Sequence, residues 1–595
     1  MSKEINSGRA IIAGLIAKLQ SSHSVNPCFP LAGKGIILPM RRIQITLTVL
    51  LLTVMACRVF VPSTPLPPPT VTQPAPTSTS IASQPIPSFS VRVHPDGGLY
   101  VGDLVSLEII APPDLDLDDE ELRVQEAPFQ DEILASAVFA SFGIGGRYQA
   151  TLPWVWNTAG LEAGAQALTF SIQPLGITWT HTITLQAESA IPLPEPDARW
   201  AVDESDCCLV HYITGTAADR DIQTVLEQAD AQAEDVAGLL GIEFTEPIGV
   251  TLMPRVLGHG GFAWGDVYIS YLDRNYAGSS VATVLHHEMV HILDARLGGD
   301  LRPTILAEGF AVYLTGGHFK PELLIPRAAA LLAPSDQEPG LDWYLPLAPL
   351  TDNFYKSQHE IGYLQAGALV ESMVETWGWD AFSAFYRDIH PEPGGKHSEA
   401  IDAALRNHFD LTLVQLEARF IDTLEQQRVT LELCDDVRLT VGFYDTVRRY
   451  QQSLDSSAYF LTAWLPKGPE MRERGIVADL VRHPSRPENL ALETLLVTAD
   501  EYLRAGRYSE TEQALEAVNA VLDARDAQAD SPFAAHPLAG AHYEIVMYLL
   551  GDYRVQRIQV EGNAAQVVVS DSGPGVVTLH LENVRGRWAV VNSNQ

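Results

Sequence analysis

A chain of 595 residues has room for three to five domains at ~100–200 residues each. Its composition, 46% hydrophobic and 19% charged, can bury sizeable cores and excludes a wholly disordered protein. A formal charge of −35 excludes the basic face a nucleic-acid binder needs, and five cysteines are too few for a disulfide scaffold or a Cys-rich zinc ribbon.

Met40, Arg41 and Arg42 precede an apolar run at 43–56. The run is shorter than the ~20 residues a spanning helix needs, and a basic start followed by a short apolar stretch is the layout of a secretory signal. It closes in Val54-Met55-Ala56-Cys57, which resembles a bacterial lipobox. The resemblance implies cleavage after Ala56 and a lipid on Cys57. Residues 1–39 do not fit ahead of a signal, so Met40 is the expected start, and 1–60 reads as a start-site extension plus signal. The segment 61–88 is rich in Pro, Ser and Thr and uncharged, with nine prolines, which predicts a stiff spacer. Lipid, spacer and globular domains together describe a protein held at the outer face of a bacterial membrane.

Residues 89–190 alternate in short apolar runs, such as 105–110, 168–172 and 182–185, separated by turn residues. This predicts a β-sandwich. It looks like an immunoglobulin-like module, without the Cys…Trp…Cys signature.

After the proline-rich 191–196 the pattern changes, and 198–430 reads as one domain of strands and helices. Strands are predicted at 208–214, 248–253 and 266–271. A long helix is predicted at 217–240, with Ile222, Val225, Leu226, Ala229, Val236 and Leu240 at helical spacing. A second helix, capped by Ser279 or Ser280, runs to Leu297 and stops at Gly298-Gly299.

That second helix carries His287-Glu288-Met289-Val290-His291. Histidines four apart share one helical face, so their imidazoles can converge on one ion, and tetrahedral zinc suits them. Glu288 stands beside the ion and can take a proton from its water. With 17 histidines in the chain the pattern arises by chance roughly 0.03 times. A catalytic zinc needs a third protein ligand. Asp294 and Leu297 occupy the positions where a metzincin has Gly and His, so the candidate is Glu308, in Leu306-Ala307-Glu308-Gly309-Phe310-Ala311-Val312-Tyr313. Pro303 suits the start of a helix antiparallel to the first. A carboxylate on an otherwise apolar helix needs a compensating partner.

H-E-x-x-H followed by L-x-E-G-x-A-x-Y resembles the gluzincin metallopeptidases, in particular the peptidase MA-like group, over about residues 200–423. The resemblance implies a zincin fold. It also implies zinc on His287, His291 and Glu308, Glu288 as general base, and a peptide or protein substrate. Tyr363 opens a segment that looks like the helix bearing the catalytic tyrosine of the aminopeptidase relatives; a core tyrosine is the alternative. Tyr355 and His359 are lesser candidates. Asp294 is a candidate to orient a ligand imidazole, or a plain surface carboxylate. His286, one residue from the first ligand, is turned away. The strand at 266–271 resembles the zincin edge strand, which pairs with extended peptides, and Gly260-Gly261 allow close backbone approach. Cys207 or Cys208 is a candidate to pair with Cys434.

Residues 431–530 are predicted helical, with one tetratricopeptide-like hairpin around 499–515. Residues 531–595 are predicted to form a small α+β domain similar to nuclear-transport-factor-like modules. The expected fold class is therefore multidomain α+β. The expected function is a membrane-tethered zinc metallopeptidase, and the alternative is a catalytically degenerate scaffold lipoprotein of the cell envelope.

Overall fold

The computed structural model describes residues 89–594 apart from 114, 116, 118–119, 127–132, 143–146, 244, 259, 279, 336, 357–358, 459–467, 484 and 571–575. The expected signal, Cys57 and the 61–88 spacer lie outside the described residues. What is described is a mixed α+β protein with four sheets. Among the described residues no helix is long and apolar enough to cross a membrane.

The first eight strands make two four-stranded sheets. One is β1 (Ser90–His94), β2 (Leu104–Ile110), β6 (Arg147–Asn157) and β5 (Ala140–Phe142), in that order. The other is β4 (Ile133–Val138), β3 (Glu121–Glu126), β7 (Gly164–Gln173) and β8 (Ile177–Leu185). Neighbours are antiparallel, with Leu107 opposite Leu152 and Val124 opposite Phe170. Inward residues of both sheets, Val105, Leu107, Ile109 and Leu152 from one and Leu122, Val124, Phe170 and Ile172 from the other, share one core. Period-2 alternation is what lets each sheet bury one face.

The third sheet has β9 (Trp200–Glu204), β10 (Cys208–Ile213), β11 (Ile248–Met253), β12 (Gly261–Trp264) and β13 (Asp266–Ser270), in the order β12-β13-β11-β10-β9. Strands β10, β11 and β13 are parallel, and the two flanking pairs are antiparallel. A parallel pair needs a crossover, which α1 (Ala217–Leu240) supplies between β10 and β11. Its buried stripe, Val225, Ala229, Ala233 and Val236, joins the same core as Val210, Val250 and Leu252.

Two helices follow β13. In α2 (Val281–Arg296) the Ser280 side chain accepts from the Thr283 amide, and Gly298 and Gly299 take positive φ after its end. Pro303 then opens α3 (Thr304–Thr315), which Gly316 stops in a left-handed conformation. Further on, α3 packs against α6 (His359–Trp377), after the short α4 (Leu324–Ala329) and α5 (Leu347–Asp352). Glycine is required at this contact: a Cβ on Gly309 would collide with the Ala366 carbonyl. Helices α7 (Trp379–Arg387), α8 (His397–Phe409) and α9 (Leu413–Glu425) complete the layer.

The chain continues through α10 (Leu431–Leu454), the short α11 (Gly468–Glu473) and α12 (Ala478–Val481), then α13 (Pro487–Arg504), α14 (Tyr508–Asp526) and α15 (Pro537–Leu549). It ends in the antiparallel sheet β14 (Arg554–Glu561), β15 (Ala564–Ser570), β16 (Val576–Val584) and β17 (Arg587–Asn594). The cores do not follow the expected divisions at 430 and 530. Val437 and Val441 of α10 belong to the core of the third sheet. Leu439, Phe443 and Val447 of the same helix share a second core with α13–α15 and the last sheet.

Candidate metal centre

Helices α2 and α3 bring His287, His291 and Glu308 together. His287 and His291 lie one turn apart, and their Nε2 atoms are 3.2 Å from each other. Glu308 Oε2 stands 3.3 Å from the first and 3.2 Å from the second. Hydrogen bonds alone cannot satisfy this triangle. Two ring N–H groups can both point at Oε2, but the two nitrogens then face each other as donors. A tetrahedral ion about 2.0–2.1 Å from each ligand has ligand–ligand edges of about 3.3–3.4 Å, close to the 3.2–3.3 Å edges here. These three residues can hold a metal ion.

Their electrostatics are coupled. Burial pushes the His287 imidazole down to about 4, with Glu308 pulling the other way. Burial also opposes charge on His291, but Glu308 and Glu288 outweigh it and lift the ring to about 9. Burial works against the Glu308 anion as well, and the two imidazoles more than offset it, holding the carboxyl well below its usual range. Glu288 is buried beside them. Burial pushes its carboxyl up to about 7, assisted by Glu308 and opposed by His291 and His318.

The two tyrosines occupy different places. Tyr355 is on a 3₁₀ turn (Phe354–Lys356), and its hydroxyl donates to Glu308 Oε1 at 2.7 Å. Tyr363 is buried on α6, with its ring centroid 6.2 Å from that of His287. Burial and then Glu308 push its phenol well above the usual value. The side chain of His359 lies outside the described residues.

One neighbour escaped the sequence reading. The ring of His318 stacks on Tyr363 at 4.0 Å and sits 5.6 Å from that of His287. Its Nδ1 is 3.0 Å from Glu360 Oε1. Burial opposes charge on His318, but Glu360 overcomes it and raises the ring. The available signal was Gly316-Gly317 after α3, a reversal that returns the next residue over the site.

Three expectations are corrected. Asp294 does not bond a ligand imidazole and is not a surface carboxylate. It is buried and accepts from Arg302 Nε at 2.9 Å, Arg387 Nη2 at 2.6 Å and the Tyr386 hydroxyl at 3.1 Å, pinning the loop between α2 and α3. Strand β13 is not an edge. Gly265, at φ 75°, folds β12 back onto it, so β12 is the edge and carries the exposed Trp264. At Gly261 a Cβ would stand 2.6 Å from Val284 Cγ1, so glycine lets α2 pack against β12. Finally, Cys207 bridges to its neighbour Cys208, which leaves Cys434 a buried free thiol. His286 points away from the triangle and bonds Thr315 Oγ1 at 2.9 Å and Asp235 Oδ2 at 3.1 Å.

No protein-family model matches this chain, and no curated protein matches it either.

Proposed function

We propose that the chain is a zinc-dependent peptide-bond hydrolase of the gluzincin type. The observation that carries this reading is the convergence of His287, His291 and Glu308 on one point, with Glu288 buried beside it. The mixed five-stranded sheet backed by α1 and α2, with α3 and α6 below, supports a zincin-like domain over about 198–430. The paired four-stranded sheets support an immunoglobulin-like module over 89–190. The membrane tether through Cys57 rests on the sequence.

His287, His291 and Glu308 would hold zinc, and zinc when bound would polarise a peptide carbonyl and acidify water. Glu288 takes a proton from the attacking water. As a carboxylate beside the ion it can hold that proton and hand it to the leaving amine. The carbonyl oxygen gains charge as the water attacks, and the stacked His318–Tyr363 pair, beside the His287 ring, is the candidate source of a donor to it. Such a donor is worth ~2.7–4 kcal/mol of barrier. Glu360 fixes the orientation of His318. Strand β12 lies beside α2 and, among the described residues, is the edge strand of its sheet, the position at which an extended peptide can pair.

The test is peptide hydrolysis and metal content of the wild type beside Glu288→Gln. The expected result is ~10²–10⁴-fold slower hydrolysis with metal retained. Equal turnover by the two proteins, or a wild type that cannot be loaded with metal, would remove the proposal.

A further inference from the structure

The two oxygens of Glu308 have divided duties. Oε2 is turned to both imidazoles, at 3.3 Å and 3.2 Å, while Oε1 accepts from the Tyr355 hydroxyl at 2.7 Å. A carboxylate with both oxygens free can rotate and chelate an ion with both, raising the ion to five ligands and crowding the position a substrate needs. One whose second oxygen is engaged by a phenol is held as a one-oxygen ligand.

We infer that Tyr355 is a positioning residue for the metal centre: its hydroxyl holds Glu308 in single-oxygen coordination and keeps a corner of the ion open. This rests on the metal reading above.

The local build suits the role. Tyr355 reaches Glu308 from a separate element, the 3₁₀ turn ahead of α6, and not from either ligand-bearing helix. The turn is anchored by Phe354, which is buried with its ring 5.2 Å from that of Tyr363 and 5.5 Å from that of Tyr355. Tyr355 is 47% exposed, and its hydroxyl bonds Glu308. A solvent molecule could replace the hydroxyl as a donor, but it would not resist rotation of the carboxylate.

The experiment loads wild type, Tyr355→Phe and Tyr355→Leu with cobalt(II). It compares metal affinity by chelator competition, the visible absorption of the cobalt, and the melting of the metal-free proteins. Tetrahedral cobalt absorbs intensely and five-coordinate cobalt weakly. Both variants are expected to lose metal affinity by ~10–100-fold and to show the weaker band, while the metal-free proteins melt alike. Equal affinity and an unchanged spectrum in Tyr355→Phe would overturn the proposal alone. A wild type that takes up no cobalt would overturn the metal reading and this proposal with it.

Discussion

Two of the buried clusters of charged side chains in this molecule are built on opposite plans. In one, Arg482 lies between Asp103 and Glu195. It donates to the two Asp103 oxygens at 2.6 Å and 2.9 Å and to both Glu195 oxygens, and it also packs over the Tyr100 ring. The cation belongs to the chain, so the cluster is closed. It fastens the β1–β2 loop of the first sheet to the segment before β9 and to the segment after α12. In the other, His287, His291 and Glu308 bring three possible ligand atoms within 4.8 Å of one another, and no Lys or Arg takes part among the described residues. Burial of like groups is stable only when something answers them. The first cluster is answered by an arginine, whereas in the second two imidazoles face the Glu308 carboxylate.

The largest effect expected from breaking this contrast is at Glu308. Glu308→Ala should take bound metal from one ion per chain to none, read by elemental analysis after dialysis. Metal retained at the wild-type level would mean that the two clusters are not different in kind. Next is Arg482→Met, which strands two buried carboxylates and should cost about 3–5 kcal/mol in urea unfolding while leaving metal affinity unchanged. An unchanged unfolding midpoint would show that the closed cluster does not fasten these segments.

His542 sharpens the contrast with a smaller effect. It is buried on α15 with Thr494 Oγ1 3.0 Å from its Nδ1, and burial pushes it down to about 3. Its folded pKa lies below the unfolded value of ~6.5, so the unfolded chain binds the proton more readily. Stability from neutral burial is complete above ~6.5 and is lost as pH falls toward 3, with a slope of up to ~1.4 kcal/mol per pH unit. His542→Leu should flatten the acid side of a stability-against-pH curve by that amount, and equal slopes would refute it.

What was legible in the sequence follows distance along the chain. The pair at 287 and 291 is set by one helical turn. Glu308 was reachable because Gly298-Gly299 and Pro303 mark a reversal only seventeen residues long. The stripe on α1 repeats at helical spacing and shows itself directly. By contrast, Arg482 and Asp103 are 379 residues apart and carry no motif. Strand β12 was hidden because a glycine-rich stretch at 258–265 reads as a turn, and only pairing with β13 makes part of it extended. Tyr355 ranked below Tyr363 because a short 3₁₀ turn has no periodicity to weigh, yet it is the tyrosine that touches Glu308.

Helix α10 has a practical consequence for anyone who would work with fragments. It turns Val437 and Val441 toward one hydrophobic interior and Leu439, Phe443 and Val447 toward another. A chain trimmed at residue 430 would therefore lose the helix that walls both interiors, and the excised N-terminal piece would present a greasy seam to water. The smallest soluble unit that keeps the metal site should extend through the C-terminal sheet.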